Sequence, residues 1–304
     1  MPFTAILLVL ASCVLHAGWN LACKSKTPSA AFFVLSTGSS ITVMTPLYIW
    51  FAPRLGEVPP PVWGLLIATG FFQALYYISL GNAYRVNDIS LAYPVVRALP
   101  VLLVPLACGL LGYGKSLSAL SLTGMVIIAA GCMILPLTAL KVNLIRQYLR
   151  LPFLFMVIAA LATTAYSIID SQALALLKTD GAQVFPPVQA ALFYIAFENL
   201  AILGFLLLHL LFSRRETFNF RIIRKESLRY PLMSGPASTT AYVLVLLAMQ
   251  IASDVSYVVA FRQISILIGV VSGILILKEK LTHLKLTSTL LIFAGLVLTA
   301  LGQK

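Results

Sequence analysis

Charged side chains are scarce in this sequence. Asp, Glu, Lys and Arg make up 10% of its 304 residues, where a soluble domain carries about a quarter. Apolar residues account for 60% and the mean hydropathy is +0.98. So few charges cannot coat a water-soluble core of this size, which excludes an ordinary globular domain and points to lipid. Acidic residues are scarcest, nine against 21 basic ones, for a net charge of +12. The basic residues stand between apolar runs with no aromatic-rich soluble module beside them, so they read as topology determinants and no nucleic-acid partner is expected.

Cysteine is limited to Cys13, Cys23, Cys108 and Cys132, all within apolar segments and none in a C-x-x-C pair. That excludes a disulfide framework and a thiolate metal site. The three histidines, His16, His209 and His283, are far apart in sequence, so a histidine metal centre is not expected either, and no cofactor is implied. H-E-x-x-H, G-x-S-x-G and a His–carboxylate cluster are all missing, which argues against an intramembrane enzyme. The tetrapeptide Leu10-Ala11-Ser12-Cys13 resembles a lipoprotein cleavage site, but residues 1–5 carry no Lys or Arg. The apolar stretch also continues past Cys13, so it reads as a first transmembrane helix.

What is present is a series of apolar runs. A bilayer core of about 30 Å takes roughly 20 apolar residues per helix. Segments of that length fall near 3–24, 30–51, 61–84, 89–112, 117–138, 152–177, 187–212, 231–251, 255–277 and 283–302. Pro28, Pro61, Pro152, Pro187 and Pro231 stand at or near helix starts, where a missing N–H costs nothing. The expected fold is all-α: a polytopic membrane protein of ten transmembrane helices. The only long connections are 139–151 and 213–230, too short to hide a soluble domain. In the first, Leu140, Leu144 and Leu151 against Lys141, Arg146 and Arg150 suggest a short interfacial segment.

Fifteen of the 21 Lys and Arg fall in loops after the odd-numbered segments and four on the opposite side, with Arg97 and Arg262 inside segments. The positive-inside rule then puts the 139–151 and 213–230 loops in the cytoplasm and both termini outside.

The two halves of the chain repeat. His16, Trp19, Asn20 and Cys23 share a helical face, and Thr163, Tyr166, Ser167 and Asp170 repeat the spacing 147 residues later. Tyr76, Asp88 and Ser90 return as Tyr242, Asp254 and Ser256 at an offset of 166. Arg97 returns as Arg262 at 165, and Leu117 and Gly131 as Leu281 and Gly295 at 164. The expected domains are a five-helix repeat at 1–138, a basic linker at 139–151 and a second repeat at 152–304. Because five is odd, the repeats must be inverted, a recurrent plan of secondary transporters.

Four stretches carry a family resemblance: 74–80 (ALYYISL), 88–97 (DISLAYPVVR), 114–135 (GKSLSALSLTGMVIIAAGCMIL) and 277–298 (LKEKLTHLKLTSTLLIFAGLVL). On these the chain resembles the EamA branch of the drug/metabolite transporter superfamily over essentially its whole length. The resemblance implies a ten-helix transporter of the plasma membrane (the inner membrane in a bacterium). It says little about substrate. Members usually keep both termini in the cytoplasm, the reverse of what the charge count argues here.

Ionisable groups deep in a membrane helix cost about 2.5–3.5 kcal/mol each on insertion scales and mark candidate sites. Arg97 and Arg262 lie near the middle of the fourth and ninth segments, expected on opposite sides of the midplane. Glu198 is central in the seventh, one turn from Tyr194, and Asp170 lies two turns before the end of the sixth. The functional reading is that the arginines attract a carboxylate or phosphate, while Glu198 or Asp170 meets an ammonium group or carries a coupling proton. The alternative is two buried ion pairs that tie helices together. His16, Trp19 and Asn20, with Thr163, Tyr166 and Ser167, would line the same cavity or serve as packing glue. Gln73, Tyr76, Tyr77, Tyr93 and Tyr242 are further candidates, and Asp88 and Asp254 are expected as N-caps.

Residues 109–116 fit G-x-x-x-x-G-K-[ST]. A P-loop needs a preceding strand in a soluble α/β domain, whereas here apolar segments lead in and out. ATP binding is not expected. The composite expectation is a secondary transporter of a zwitterionic or anionic small metabolite. The alternatives are an intramembrane enzyme and a non-transporting membrane scaffold or accessory subunit.

Overall fold

The computed structural model describes residues 1–24, 28–86, 89–113, 117–135, 151–178, 184–275 and 281–303. Within these it describes all side chains except those of 20–24, 86, 89–95, 151–152, 272–273 and 275. The linker at 139–150, Asp88 and residues 114–116 of the P-loop match lie outside the described residues.

Among the described residues the secondary structure is helical, with no strand. The helices are α1 (Phe3–Lys24), α2 (Ala30–Val43), α3 (Thr45–Phe51), α4 (Pro60–Val86), α5 (Ile89–Leu111), α6 (Ala119–Ile134), α7 (Leu151–Leu176), α8 (Pro187–Phe212), α9 (Arg214–Glu226), α10 (Arg229–Ile251), α11 (Val255–Phe261), α12 (Ile264–Leu275) and α13 (His283–Leu301). Five of them, α4, α7, α8, α10 and α13, are long and apolar enough to cross a membrane, and the bent pair α2–α3 makes a sixth candidate. Shorter apolar helices fill the remaining segments that the sequence marks.

Two of those segments are broken. The α2–α3 axis bends by 55° at Met44, just before Pro46. Proline has no N–H for the preceding turn and its ring crowds that turn's carbonyl. The Thr42 carbonyl accepts the Thr45 hydroxyl instead, at 2.9 Å. The second break separates α11 from α12 at Arg262 and Gln263. Asp254 opens α11 as its N-cap, its Oδ1 accepting the Ser256 N–H at 2.8 Å.

The packing follows a pattern of exchanged partners. α1 packs on α10 and α4 on α7; α4 packs on α8 and α2 on α10; α5 packs on α7 and α1 on α12. Early residues of α6 meet the end of α13 and late ones its beginning, so these two helices are antiparallel. A Cβ on Gly131 would stand 2.8 Å from Ile292 Cγ1 and 3.0 Å from the Ser288 carbonyl. One on Gly295 would stand 2.8 Å from Ile128 Cγ1 and 2.6 Å from the Gly124 carbonyl. Only glycine lets the backbones approach this closely.

Residues 213–230, expected as a basic loop, contain an amphipathic helix, α9. Ser213 caps it by accepting the Glu216 N–H at 3.3 Å. The Ser-x-x-Glu signal was present in the sequence, but Glu216 does not complete the reciprocal capping box. It is buried and accepts the Ala31 N–H at the start of α2, at 2.9 Å. Ile223 faces inward, while Arg214, Arg215, Arg221 and Arg224 face outward.

Candidate functional site

A small cavity lies where α1, α4, α7, α8 and α10 converge on the α11–α12 break. Its polar and aromatic walls include His16, Trp19, Gln73, Tyr76, Tyr166 and Arg262. It measures about 30 Å³, which holds a water or two, so a metabolite enters only if the helices move apart.

One wall is aromatic. Tyr77 and Tyr76 have ring centroids 5.4 Å apart, Tyr76 meets Tyr166 edge-on at 5.9 Å, and Tyr166 meets Tyr242 edge-on at 5.9 Å. These rings come from α4, α7 and α10 and offer flat faces with polar tips. Trp19 adds its indole, whose N–H donates to His16 Nδ1 at 2.7 Å. That bond fixes Nδ1 as an acceptor and joins the two residues that the i, i+3 spacing puts on one face.

Arg262 supplies the cavity's cation. It is 3% exposed, its guanidinium carbon lies 5.7 Å from the Tyr242 ring centroid, and its Nε has no hydrogen-bond partner. Arg97 does not line the cavity. Its Nη2 donates to the Arg262 backbone carbonyl at 3.1 Å and to Ser265 Oγ at 2.8 Å. The helix break exposes that carbonyl, which also takes the Cys13 thiol at 3.4 Å and the Ser265 hydroxyl at 2.9 Å. The two arginines are therefore neighbours across the break. The offset of 165 aligns them in sequence, but their side chains take different directions.

The buried carboxyls form a second group beside the cavity. Asp170 and Glu198 are both 0% exposed. Thr69 Oγ1 lies between them, donating to Asp170 Oδ1 at 2.5 Å and standing 3.4 Å from Glu198 Oε1. Asp170 also accepts the Tyr194 hydroxyl at 2.8 Å and the Tyr242 hydroxyl on its other oxygen. Glu198 Oε1 accepts the Gln73 side-chain amide, and its Oε2 has no partner. Neither carboxyl lies within ion-pair distance of a cation among the described residues, where the ion pair is the exposed Arg54–Glu57 contact at 2.8 Å. The ion-pair alternative thus gives way, for these two acids, to a pair held by hydroxyls and an amide.

The structure brings together His16, Trp19, Tyr76, Tyr166, Tyr242 and Arg262 at the cavity and sets Asp170 and Glu198 directly behind two of its walls. The side chains of Asn20 and Tyr93 lie outside the described set. Thr163 bonds back to the Ala159 carbonyl at 2.9 Å and is not a lining residue. Sequence reasoning missed Thr69, Asn199, Ser238 and Thr239; the last three line the cavity. Thr69 and Asn199 are one hydroxyl and one amide in apolar runs, and Ser238 and Thr239 sit in a consecutive Ser-Thr-Thr run, so none of them carries a helical spacing signal. Among the described residues no group of three His, Cys, Asp or Glu is placed to hold a metal.

No family model matches the chain, and no curated protein matches it. A solved structure described only as the crystal structure of a protein superposes with a TM-score of 0.66 over 100% of both chains, at 18% identity. That likeness establishes a shared fold.

Proposed function

We propose that this chain is a secondary transporter of a small zwitterionic or anionic metabolite. It works by alternating access across ten helices arranged as two inverted repeats, and it is not an enzyme. The exchanged packing partners support the repeat: swapping α1 with α7, α2 with α8, α4 with α10, α5 with α11–α12 and α6 with α13 maps the helix contacts onto one another. The glycine contacts fit the same swap, since Gly131, Ile128 and Gly124 relate to Gly295, Ile292 and Ser288 by the offset of 164. Two equivalent helices that pack antiparallel imply a twofold axis perpendicular to them, hence in the membrane plane, as in inverted-repeat transporters.

Arg262 carries the substrate reading. A guanidinium buried in a cavity needs an anion or acceptors to offset its desolvation, and its Nε has none from the protein. A substrate carboxylate or phosphate meets that need through the planar fork. The tyrosine rings beside it suit the body of an amino acid or a compound of like size. This reading agrees with the resemblance to the EamA branch.

The test is flux into liposomes supplied with pooled metabolites outside and followed by unbiased mass detection. Arg262→Gln is expected to reduce uptake by about tenfold or more while the protein still inserts, and Arg262→Lys to restore part of it, since charge returns without the fork. Wild-type liposomes that move nothing more than empty ones would reject the transporter reading.

A further inference from the structure

We propose that Glu198 is a proton-binding site that holds one proton beside an ionised Asp170 and exchanges it with water once in each transport cycle. The proposal rests on the transporter reading and adds its driving ion.

The argument begins with a count of hydrogens. Thr69, Tyr194 and Tyr242 each own one hydroxyl hydrogen, and all three point at Asp170. Three donors on two oxygens are what an ionised carboxylate takes, since it only accepts. Thr69 then has no second hydrogen for Glu198, although its oxygen lies 3.4 Å from Oε1. Glu198 receives the Gln73 amide alone, with Oε2 unpartnered and the side chain 0% exposed. Ionised, it would be a second anion in the same buried pocket with one hydrogen bond and no cation at ion-pair distance among the described residues, an arrangement like charges do not adopt. Protonated, it is neutral and that repulsion is gone.

Among the described residues the surrounding groups leave no other source of neutralisation. From its own helix Glu198 faces Tyr194, from α7 Asp170, and from α10 Tyr242. From α4 it faces the neutral Thr69 and Gln73, and from α3 Tyr48 reaches α8 through its hydroxyl bond to the Ala196 carbonyl. Arg262, His16, Tyr76 and Tyr166 lie across the cavity.

Coupling follows from shared residues. Gln73 and Tyr242 line the cavity and are also donors to Glu198 and Asp170. A substrate that takes the Gln73 amide, or draws Arg262 off the Tyr242 ring, changes what supports the two carboxyls. By reciprocity, the proton on Glu198 changes what the cavity offers the substrate. The only bond that breaks and reforms is the Glu198 O–H. Its proton passes to water when the cavity opens on one side and returns from water on the other.

The test has two arms. In the first, purified protein in detergent is measured by infrared difference spectroscopy in H2O and D2O. A protonated-carboxyl C=O band that shifts in D2O is expected in the wild type and in Asp170→Asn, and absent in Glu198→Gln. Glu198→Asp, expected to keep a shifted band, covers the case in which the Gln variant does not fold. In the second, liposomes carrying the protein take up pooled radiolabelled L-amino acids with and without a pH gradient. Glu198→Gln is expected to lose gradient-driven accumulation by about tenfold or more, and whatever exchange remains becomes independent of pH. A band that survives Glu198→Gln and vanishes in Asp170→Asn would overturn the assignment, as would gradient-driven accumulation by Glu198→Gln at the wild-type level. Wild-type protein that shows the band yet moves neither the labelled amino acids nor any of the pooled metabolites would overturn the transport reading and the cycle, while the protonated Glu198 stands.

Discussion

Tyr242 donates its hydroxyl hydrogen to Oδ2 of Asp170, joining α10 to α7 through a side chain that belongs to both the cavity wall and the acid pair. Tyr242→Phe removes this donor and leaves a fully buried carboxylate oxygen short of a bond. The expected cost is about 1–3 kcal/mol of stability, read as a lower melting temperature in detergent. An unchanged melting temperature would mean that Asp170 does not depend on the hydroxyl.

The two arginines are expected to part company in their effects. Arg97→Gln removes the charge-assisted bonds to the Arg262 carbonyl and Ser265, at a cost of about 1.5–3 kcal/mol. Arg262→Gln removes a buried cation whose Nε has no partner, so it lowers transport without lowering the melting temperature, as expected where desolvation exceeds what the site returns. Equal thermal losses in both variants would contradict this division.

The antiparallel pair of α6 and α13 depends on glycine at its crossing. Gly295→Ala places a methyl group 2.6 Å from the Gly124 carbonyl and 2.8 Å from Ile128. Overpacking of this kind costs about 1–3 kcal/mol. The variant's melting temperature in detergent is expected to fall, whereas Gly18→Ala, with nothing within 4 Å, is expected to leave it in place.

Orientation follows from charge. If the basic side is cytoplasmic, a cysteine at Arg221, outward-facing on α9, or at Arg146 resists an impermeant thiol reagent in intact cells, and one at Lys178 reacts. The reverse labelling would restore the orientation usual for the EamA branch.

Outside the membrane segments, Arg54 ties its loop to the approach to α8. Its Nη2 donates to the Val184 carbonyl and to Glu57 Oε2, both at 2.8 Å, and its guanidinium lies 4.4 Å from the Phe185 ring centroid. The hydrogen bond from Arg54 holds the Glu57 carboxyl below its ordinary range. A lowered folded-state value means that the contact's contribution is present above the ordinary carboxylate range and fades as the pH falls through the lowered value. Trypsin cleavage after Arg54 is expected to rise on acidification below that range in a protease assay corrected for enzyme activity, and to be insensitive to the same change in Glu57→Gln.

Sequence alone determined that the chain is helical and built for lipid, and where most of its helices run. Apolar length is a local property and survives any packing; it marked 30–51 as one unbroken segment, and only the backbone showed the 55° bend within it. The ionisable residues that matter were also visible, because a buried Arg or Glu in an apolar run stands out by its cost. Tertiary structure decided what each of them touches. Helix rotation and crossing put Arg97 on a backbone carbonyl and Arg262 in the cavity, though an offset of 165 aligns the two in sequence. Thr69, an unremarked hydroxyl in α4, became the link between Asp170 and Glu198, residues 101 and 129 positions away. Sequence spacing places side chains within one helix; contacts between helices depend on how their faces turn toward one another, and that is settled only when the whole bundle packs.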